Sequence, residues 1–397
     1  MALVFAVLLY AWLVYPLLVL ALAKRRPGAA SLPGASPAGK TVHIFIAAYN
    51  EEQVIAERLR NLEAACTGFP GIRILVGDDC SDDRTAAIVE AWAGTHPNFR
   101  LIRAAKRGGK TAMLKKLFAD GPLDEDAIIV FTDANTRFAP DALGRLLAPF
   151  ANPLIGGVCG RLVFTSATDE TVTENYYWRA ETILKEAESR LDSCLGANGA
   201  IYAIRRRLFW SAIPDTTIVD DLVLGLKVRE KGYRMIYASE AMAYETAAPE
   251  HDEFRRRVRI GAGDYQALVL CRKCLHPRYG LFAWVFWSHK VLRWFTPHLL
   301  AALFILPVIY IARAPAGDRL APLMSWGWGI AGTAVMIGIG CEKPSGRLLR
   351  VFRLWAHFSI LQAALFVGFI RFCRGGLRGT WERTERRDEG GGMKDVP

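Results

Sequence analysis

The sequence lacks the features that define three classes of protein. Its eight cysteines are scattered along the chain, so a fold stapled by disulfides is excluded and reduced thiols are expected. It contains no G-x-x-x-x-G-K-[ST] phosphate-binding loop, which argues against a conventional ATPase. No nucleic-acid-binding motif accompanies the formal net charge of +11, so nucleic acid is not an expected partner.

The apolar and basic residues of the chain are unevenly distributed. The 397 residues are 52% hydrophobic and 22% charged, so the apolar excess must be concentrated in particular segments. Residues 1–249 carry 28 basic and 28 acidic side chains, whereas residues 250–397 carry 22 and 11. A basic surplus interleaved with apolar runs indicates the cytoplasmic flanks of membrane segments, which face anionic headgroups. Membrane lipids are therefore expected partners.

The N-terminal segment has the pattern of a membrane anchor. Residues 2–23 form an uncharged apolar run long enough to cross a bilayer, and Lys24, Arg25 and Arg26 follow it directly. A cleaved signal peptide would show the opposite charge order, so residues 1–26 are predicted to be a transmembrane anchor that leaves the following domain in the cytoplasm. Residues 27–39, rich in Pro, Gly, Ser and Ala, are predicted to be a linker.

The C-terminal region, residues 295–372, is predicted to contain further membrane helices. Apolar runs at about 295–312 and 322–340 indicate a helical hairpin. A third run, at about 354–372, has basic residues on both flanks. Basic flanks favour the cytoplasmic side, so this run would span the membrane against that preference. The alternative is a re-entrant or interfacial helix. Residues 373–397 are predicted to form a tail that is basic at first and then flexible.

The segment that precedes these helices, residues 271–294, is predicted to lie in the headgroup plane. Within it, Trp, Phe and Tyr are mixed with His289, Lys290 and Arg293, which is typical of an interfacial helix. An ordinary amphipathic packing helix is the alternative. Together, these segments predict a multi-pass protein of the cytoplasmic membrane.

Residues 40–270 are predicted to form a Rossmann-like α/β domain with a mostly parallel sheet. Apolar runs rich in β-branched residues alternate there with helical patterns, which is typical of such sheets. Strands are predicted at 41–48, 72–77, 99–103, 127–132, 157–164, 200–204 and 234–238. Helices are predicted at 52–65, 83–93, 110–119, 140–150, 172–190 and 221–231.

Polar side chains follow three of these strands at the point where each strand ends. Glu51 follows the first, Asp79 the second, and Asp133 and Asn135 the fourth. Ligands bind beyond the carboxyl ends of the strands in such sheets, and converging carboxylates repel one another unless a cation or a ligand neutralises them. Oxygen-rich sites favour Mg²⁺ or Mn²⁺ held together with substrate phosphates, and Lys110 in KRGGKT adds a positive charge for those phosphates. A nucleoside diphosphate therefore fits this edge.

Six motifs occur in order along the predicted domain. They are AAYNEE (47–52), GDDCSDD (77–83), GGKTAML (108–114), FTDANT (131–136), GANGAIYAIRR (196–206) and VDDLVLGLKVREKGY (219–233). The ordered set resembles the family-2 glycosyltransferases with a GT-A fold, in the membrane-integrated branch that contains cellulose, hyaluronan and poly-N-acetylglucosamine synthases. The resemblance covers roughly residues 40–265 and the membrane layout. It implies an inverting, metal-dependent transfer of a hexosyl or N-acetylhexosaminyl group from a nucleotide sugar.

The resemblance also assigns a donor site. It implies that Tyr49, Glu51 and Asp79 hold the nucleoside, which is expected to be uridine, and that Lys110 approaches the diphosphate. Ala47 belongs to the same nucleotide-sugar-binding set.

The metal and the general base are assigned in the same way. Asp133 would bind Mg²⁺ or Mn²⁺ through the family's D-x-D element, in which Asn135 replaces the second acid, so that one charged ligand becomes a neutral one. Asp221 corresponds to the last acid of the T-E-D element, with Asp220 in the middle position, and would be the general base. Such a base is needed because an acceptor hydroxyl must lose its proton as it attacks the anomeric carbon. The alternative is that both acids only stabilise a helix N-terminus.

The acceptor side departs from the family pattern. In place of Q-x-x-R-W the chain reads FRRRVRIGAGDYQAL (254–268), which has no Trp and no leading Gln. Arg256 and Arg259 would either clamp the diphosphate or, with their neighbouring arginines, face anionic lipid. Asn198 and Gly199 remain as predicted acceptor contacts. The missing Trp weakens the prediction of a processive enzyme.

Three functions follow from these patterns. The leading prediction is extension of an exopolysaccharide from a UDP-sugar at the cytoplasmic membrane face, with a partner protein for export where the few helices do not suffice. Transfer of a single sugar to a lipid carrier is the alternative within the same class. A non-catalytic membrane scaffold is the alternative of another class, suggested by Asn135 and the altered arginine segment.

Overall fold

The chain is described by a computed structural model that covers residues 1–26, 40–120, 124, 126–165, 172–246, 250–315, 318, 320–340, 346–377 and 379–380. The predicted linker 27–39 lies outside the described residues, as does most of the predicted tail 373–397.

A single sheet organises the middle of the chain. Among the described residues its strands are β1 (Val42–Ala48), β2 (Arg73–Asp78), β3 (Phe99–Arg103), β4 (Ile128–Asp133), β5 (Arg137–Phe138), β6 (Ile155–Thr165), β7 (Tyr202–Arg205) and β8 (Arg234–Thr246). They are arranged in the order β3-β2-β1-β4-β7-β6-β8-β5. The strands β3, β2, β1 and β4 are parallel, and so are β6 and β8, whereas β7 and β5 run antiparallel to their neighbours. The mostly parallel sheet of the prediction is confirmed.

Helices cover both faces of this sheet. In the domain they are α2 (Ile55–Ala65), α3 (Thr85–Ala93), α4 (Lys110–Asp120), α5 (Ala142–Leu147), α6 (Val172–Leu191), α7 (Asp220–Glu230) and α8 (Glu250–Leu270). Every residue of β1 is buried, as expected for a central parallel strand with helices on both sides. Side chains alternate along it: Phe45 belongs to one apolar cluster, and Ile44 and Ile46 belong to the cluster on the other face.

Long apolar helices flank the domain. Among the described residues, Ala2–Ala23 (α1), Thr296–Arg313 and Leu348–Arg374 are long and apolar enough to cross a membrane. A helix at Leu320–Gly340 follows the second of these, where the partner of the predicted hairpin was expected. The last helix, Arg347–Arg374, is longer than the predicted run 354–372, because the preceding Arg and Leu residues also favour a helix. We label these C-terminal helices α10, α11 and α12 in chain order.

The predicted interfacial segment packs tightly against the rest of the protein. Residues 281–294 form a helix (α9) with a π-helical stretch at Phe286–Val291. Phe282, Phe286, His289 and Trp294 are buried. This burial is what the alternative of a packing helix expects, and a position in the headgroup plane stays a prediction.

Close packing fixes α12 against α8. A Cβ on Gly368 would lie 2.8 Å from the backbone nitrogen of Ala262, and a Cβ on Gly261 would lie 3.2 Å from the Cα of Leu365. Glycines at these positions allow the two helices to approach each other closely. The candidate membrane helix therefore packs directly on the helix that carries the predicted arginine clamp.

Candidate active site

The carboxyl ends of β1, β2 and β4 meet at one edge of the sheet. In the strand register Ala47 pairs with Asp133 on one side and with Gly77 on the other. The loops after β1 and β2 are also joined, since the Asn50 amide donates to Ser81 Oγ at 3.0 Å and the Asp82 amide donates to Asn50 Oδ1 at 3.1 Å. Residues far apart in the sequence therefore share one site.

Asp79 holds the glycine loop in front of α4. Its two carboxylate oxygens accept the amides of Gly108 and Gly109, each at 2.8 Å, and its side chain is buried. Gly109 has a φ of +90°, a conformation that favours glycine. The turn places Lys110 at the first position of α4.

Lys110 and Asp133 form an ion pair at the centre of the site. Lys110 Nζ donates to Asp133 Oδ1. A Cβ on Gly199 would lie 2.9 Å from Asp133 Oδ2 and 3.0 Å from Lys110 Nζ, so this position leaves little room for a side chain. Burial alone would lower the pKa of Lys110, but Asp133, Asp220 and Asp221 together raise it. The lysine therefore stays charged and is available to an anionic ligand.

Two carboxylates stand at the start of α7, next to this ion pair. Asp220 is 3% exposed, and its Oδ2 atom has no hydrogen-bond partner among the described residues. Asp221 Oδ1 accepts the Leu222 amide at 2.8 Å. Burial raises the pKa of Asp220 to about 6, with Asp221 and Asp133 adding to the effect and Lys110 opposing it. Burial also raises the pKa of Asp221, again opposed by Lys110. Carboxylates with raised pKa values are suited to accept a proton near neutral pH.

Three arginines line the same cavity as these acids. Burial lowers the pKa of Arg259, and its Nε atom lacks a hydrogen-bond partner among the described residues. Arg256 forms an ion pair with Glu253 at 3.1 Å on the same helix. Arg58 is 3% exposed, donates to Thr132 Oγ1 at 2.6 Å, and has its pKa lowered to about 9 by burial.

A cavity of about 1710 Å³ is lined by most of the residues of this site. Eleven of the thirteen residues predicted from the sequence line it: Ala47, Glu51, Lys110, Asp133, Asn135, Asn198, Gly199, Asp220, Asp221, Arg256 and Arg259. Tyr49 and Asp79 do not. The ring of Tyr49 lies under the Arg107 guanidinium at 3.7 Å, and both oxygens of Asp79 are occupied by backbone amides. Asp79 therefore positions the glycine loop, and Tyr49 packs against a residue that lines the cavity. The predicted role of these two side chains in holding the nucleoside stays a prediction.

Comparison with known proteins identifies the family. The family model described as "Glycosyl transferase family group 2" matches residues 128–370, which is more than half of the chain, and the model "Glycosyl transferase family 2" matches residues 43–211. The chain belongs to the family 2 glycosyltransferases.

Named relatives of this glycosyltransferase cover only part of it. A β-monoglucosyldiacylglycerol synthase of Synechocystis is 27% identical over 243 residues, which is 57% of this chain and 48% of the relative. An N-acetylglucosaminyltransferase of Rhizobium leguminosarum bv. trifolii is 29% identical over 136 residues, 34% of this chain and 72% of the relative. The chain thus spans about half the length of the first relative.

A solved structure supports the GT-A fold of this glycosyltransferase. A mannosyltransferase of Pyrobaculum calidifontis, in complex with GDP-Man and Mn²⁺, superimposes with a TM-score of 0.66 at 23% identity. The similarity covers 94% of this chain and 98% of that protein. At this identity the comparison shows a shared fold.

Some residues that line the cavity of this glycosyltransferase have no signal in the sequence. Arg58, Lys185 and Asp264 line the cavity, yet each lies in a helical pattern where a charged residue usually faces solvent. The chain after α12 also returns to the site: a Cβ on Gly109 would lie 2.5 Å from the carbonyl oxygen of Gly379.

Asn198 lines the cavity with its amide already engaged. Its Nδ2 donates to the Gly160 carbonyl at 2.8 Å, and its Oδ1 accepts the Ile201 amide at 3.1 Å. These bonds hold the loop that presents Gly199 to the ion pair. The predicted acceptor contact of Asn198 stays a prediction.

Proposed function

We propose that this family 2 glycosyltransferase moves a sugar from a nucleotide-sugar donor to a hydroxyl acceptor at the cytoplasmic face of a membrane. The observation that supports this most is the meeting of Lys110, Asp133 and Asp221 in one cavity. Lys110 supplies a fixed positive charge for a diphosphate, and Asp221 supplies a carboxylate for the acceptor proton.

The oxygen atoms at the strand ends fit a divalent cation. Asp133 and Asn135 both line the cavity and offer carboxylate and amide oxygens, the ligand type that Mg²⁺ and Mn²⁺ prefer. No group of three or more His, Cys, Asp or Glu side chains that could hold a metal occurs among the described residues. Cations of this type often bind through one or two carboxylates plus substrate phosphates, so Asp133 would hold the ion together with the diphosphate. When bound, the cation would stabilise the negative charge on the departing diphosphate.

The proposed reaction step is a displacement at the anomeric carbon of the donor. The acceptor hydroxyl oxygen attacks the anomeric carbon from the face opposite the diphosphate, while Asp221 takes up the hydroxyl proton. The bond from the anomeric carbon to the diphosphate oxygen breaks, and its electron pair leaves with the nucleoside diphosphate. Lys110 and Arg259 stabilise that charge, and the configuration at the anomeric carbon is inverted.

Our leading proposal is that the donor is a UDP-sugar and that the acceptor is a growing exopolysaccharide. A second candidate is transfer of a single sugar to a lipid. It is favoured by the wall of the cavity, where Trp12 of α1 and Phe358 and Leu361 of α12 are exposed to the same space as Asp221. The relative in Synechocystis is named as a β-monoglucosyldiacylglycerol synthase, which also favours a lipid acceptor.

A donor screen tests the proposed function. Purified protein would be supplied with UDP-glucose, UDP-N-acetylglucosamine, UDP-galactose or GDP-mannose and with Mn²⁺ or Mg²⁺, and nucleotide release would be measured. Release that disappears in Asp221→Asn, but persists in the exposed control Asp141→Asn, supports the proposal. Absence of release with every donor would refute it. Labelled donor and native membranes would then separate a polymer from a single-sugar product that is extracted into organic solvent.

A further inference from the structure

A second group of charged side chains lines the cavity on the side of Asp221 that faces the flanking helices. It includes Lys185 on α6, Asp264 on α8 and Lys290 on α9, and the same helices also bring Glu181, Arg257 and Arg293 to the cavity. None of these residues belongs to the six motifs that indicated the donor site. Three separate helices thus bring carboxylates and cations to the same space.

The loop before α7 fixes the position of Asp264 relative to the general base. A Cβ on the adjacent Gly263 would lie 2.9 Å from Cβ of Ile218, so α8 packs closely on the residues that lead into Asp220 and Asp221. Gln266, on the same helix, accepts the Ile218 amide at 3.1 Å and donates to the Thr216 carbonyl at 3.2 Å. These contacts fix the position of α8 relative to the loop.

Asp264 makes no hydrogen bond or ion pair with any residue in the described part of the chain, although it is partly buried and lines the cavity. Burial raises its pKa to about 7, with Asp221 adding to the effect and Lys290 and Arg257 opposing it. A partly buried carboxylate without a partner is costly, so a ligand that donates hydrogen bonds to it would bind favourably.

The mixture of charges indicates the chemistry of that ligand. An anionic group such as a lipid phosphate would suit the two lysines and Arg257 but would be repelled by Asp264. A neutral carbohydrate suits the carboxylate and the cations alike, because each of its hydroxyls both donates and accepts hydrogen bonds. Lys290 is itself held by Glu181 at 3.1 Å, so that its charge is already partly balanced within the protein.

We propose that Asp264, with Lys185 and Lys290, forms an acceptor subsite that binds the hydroxyls of a neutral sugar and holds the reacting hydroxyl beside Asp221. Asp264 is a positioning residue, since it acts on the acceptor and leaves proton removal to Asp221. This inference rests on the proposed glycosyl transfer and names its acceptor class. It applies equally to a sugar on a lipid and to the end of a polysaccharide.

The octyl glycosides of glucose, mannose and N-acetylglucosamine are suitable probes, used with full-length protein in detergent. In Asp264→Asn, the KM for the octyl glycoside that the wild type accepts should rise about 10-fold, as expected for the loss of hydrogen bonds to a charged group. The donor KM and acceptor-free donor hydrolysis should stay at wild-type values. Asp264→Glu should recover part of the acceptor affinity, and Asp141→Asn, on the exposed surface, should change neither constant.

Several results would overturn the inference. An unchanged acceptor KM in Asp264→Asn would remove Asp264 from the subsite, and a parallel loss of donor hydrolysis would show a merely structural role. Transfer by the wild type to a polyprenyl monophosphate, or to no octyl glycoside at all, would exclude the neutral sugar. If the wild type hydrolyses donor in that experiment, only the acceptor assignment fails. If it does not, the proposed function fails too.

Discussion

Replacing Asp220 with Asn is predicted to stabilise the protein at neutral pH. Asp220 is 3% exposed, has one oxygen without a hydrogen-bond partner among the described residues, and lies near the charges of Asp221 and Asp133. Its pKa is raised from 3.8 to about 6. At about 1.4 kcal/mol per pKa unit, the charged carboxylate costs the folded state about 3 kcal/mol. The neutral amide of Asn removes this cost.

The pH dependence of the effect has a definite sign. The folded pKa is higher than the unfolded one, so the cost is absent below pH 3.8, where both states are protonated, and complete above about pH 6. The gain in melting temperature of Asp220→Asn over wild type should therefore be small at about pH 4 and reach about 4 °C at about pH 8.

Thermal unfolding in detergent, followed at both pH values, measures this difference. Asp141→Asn is the matched control, because the side chain of Asp141 is 60% exposed and its substitution should change the melting temperature little at either pH. A wild type that is as stable as Asp220→Asn at the higher pH would refute the reasoning. A gain that is equal at both pH values would show that it does not arise from titration of Asp220.

Three further predictions concern the donor side. Gly109→Ala should weaken donor binding and destabilise the protein by about 1–3 kcal/mol. Gly109 has a φ of +90°, and the new Cβ would lie 2.5 Å from the Gly379 carbonyl oxygen. An unchanged donor KM and melting temperature would contradict this contact. Lys110→Met should move the acidic limb of the kcat/KM–pH profile to higher pH, because Lys110 lowers the pKa of both Asp220 and Asp221. An acidic limb at the wild-type pH would contradict this effect of Lys110. Chelation with EDTA should abolish nucleotide release and Mn²⁺ or Mg²⁺ should restore it, whereas full turnover without metal would contradict the role given to Asp133.

The strands and their polar ends could be predicted because both signals are local. The run 41–48 was expected to be a strand and β1 is Val42–Ala48, and the acid expected to follow the fourth strand is its last residue, Asp133. The strand β8 extends beyond the predicted 234–238 and covers Arg234–Thr246. This extension could not be predicted, because it depends on pairing with β6, which the tertiary fold sets.

The positions of other residues that line the cavity depend on tertiary contacts, which short sequence motifs do not predict. Arg58 has the sequence context of a surface residue on α2, yet the fold buries it beneath Thr132. Asp79 carries the motif of a ligand contact, and the motif does not reveal that both of its oxygens also accept the amides of the glycine loop. Asp264 lies in the same cavity as Asp221, on a helix that packs on the loop before α7.

The turnover of Asp221→Asn, measured with the donor that the wild type prefers, tests the central claim most directly. Loss of the base should lower kcat by about 10²–10⁴-fold, while the donor affinity remains close to wild type and the melting temperature does not fall, since burial raises the pKa of Asp221 as it does that of Asp220. Turnover that stays within a few-fold of wild type would contradict the assignment of Asp221 as the general base and, with it, the proposed mechanism.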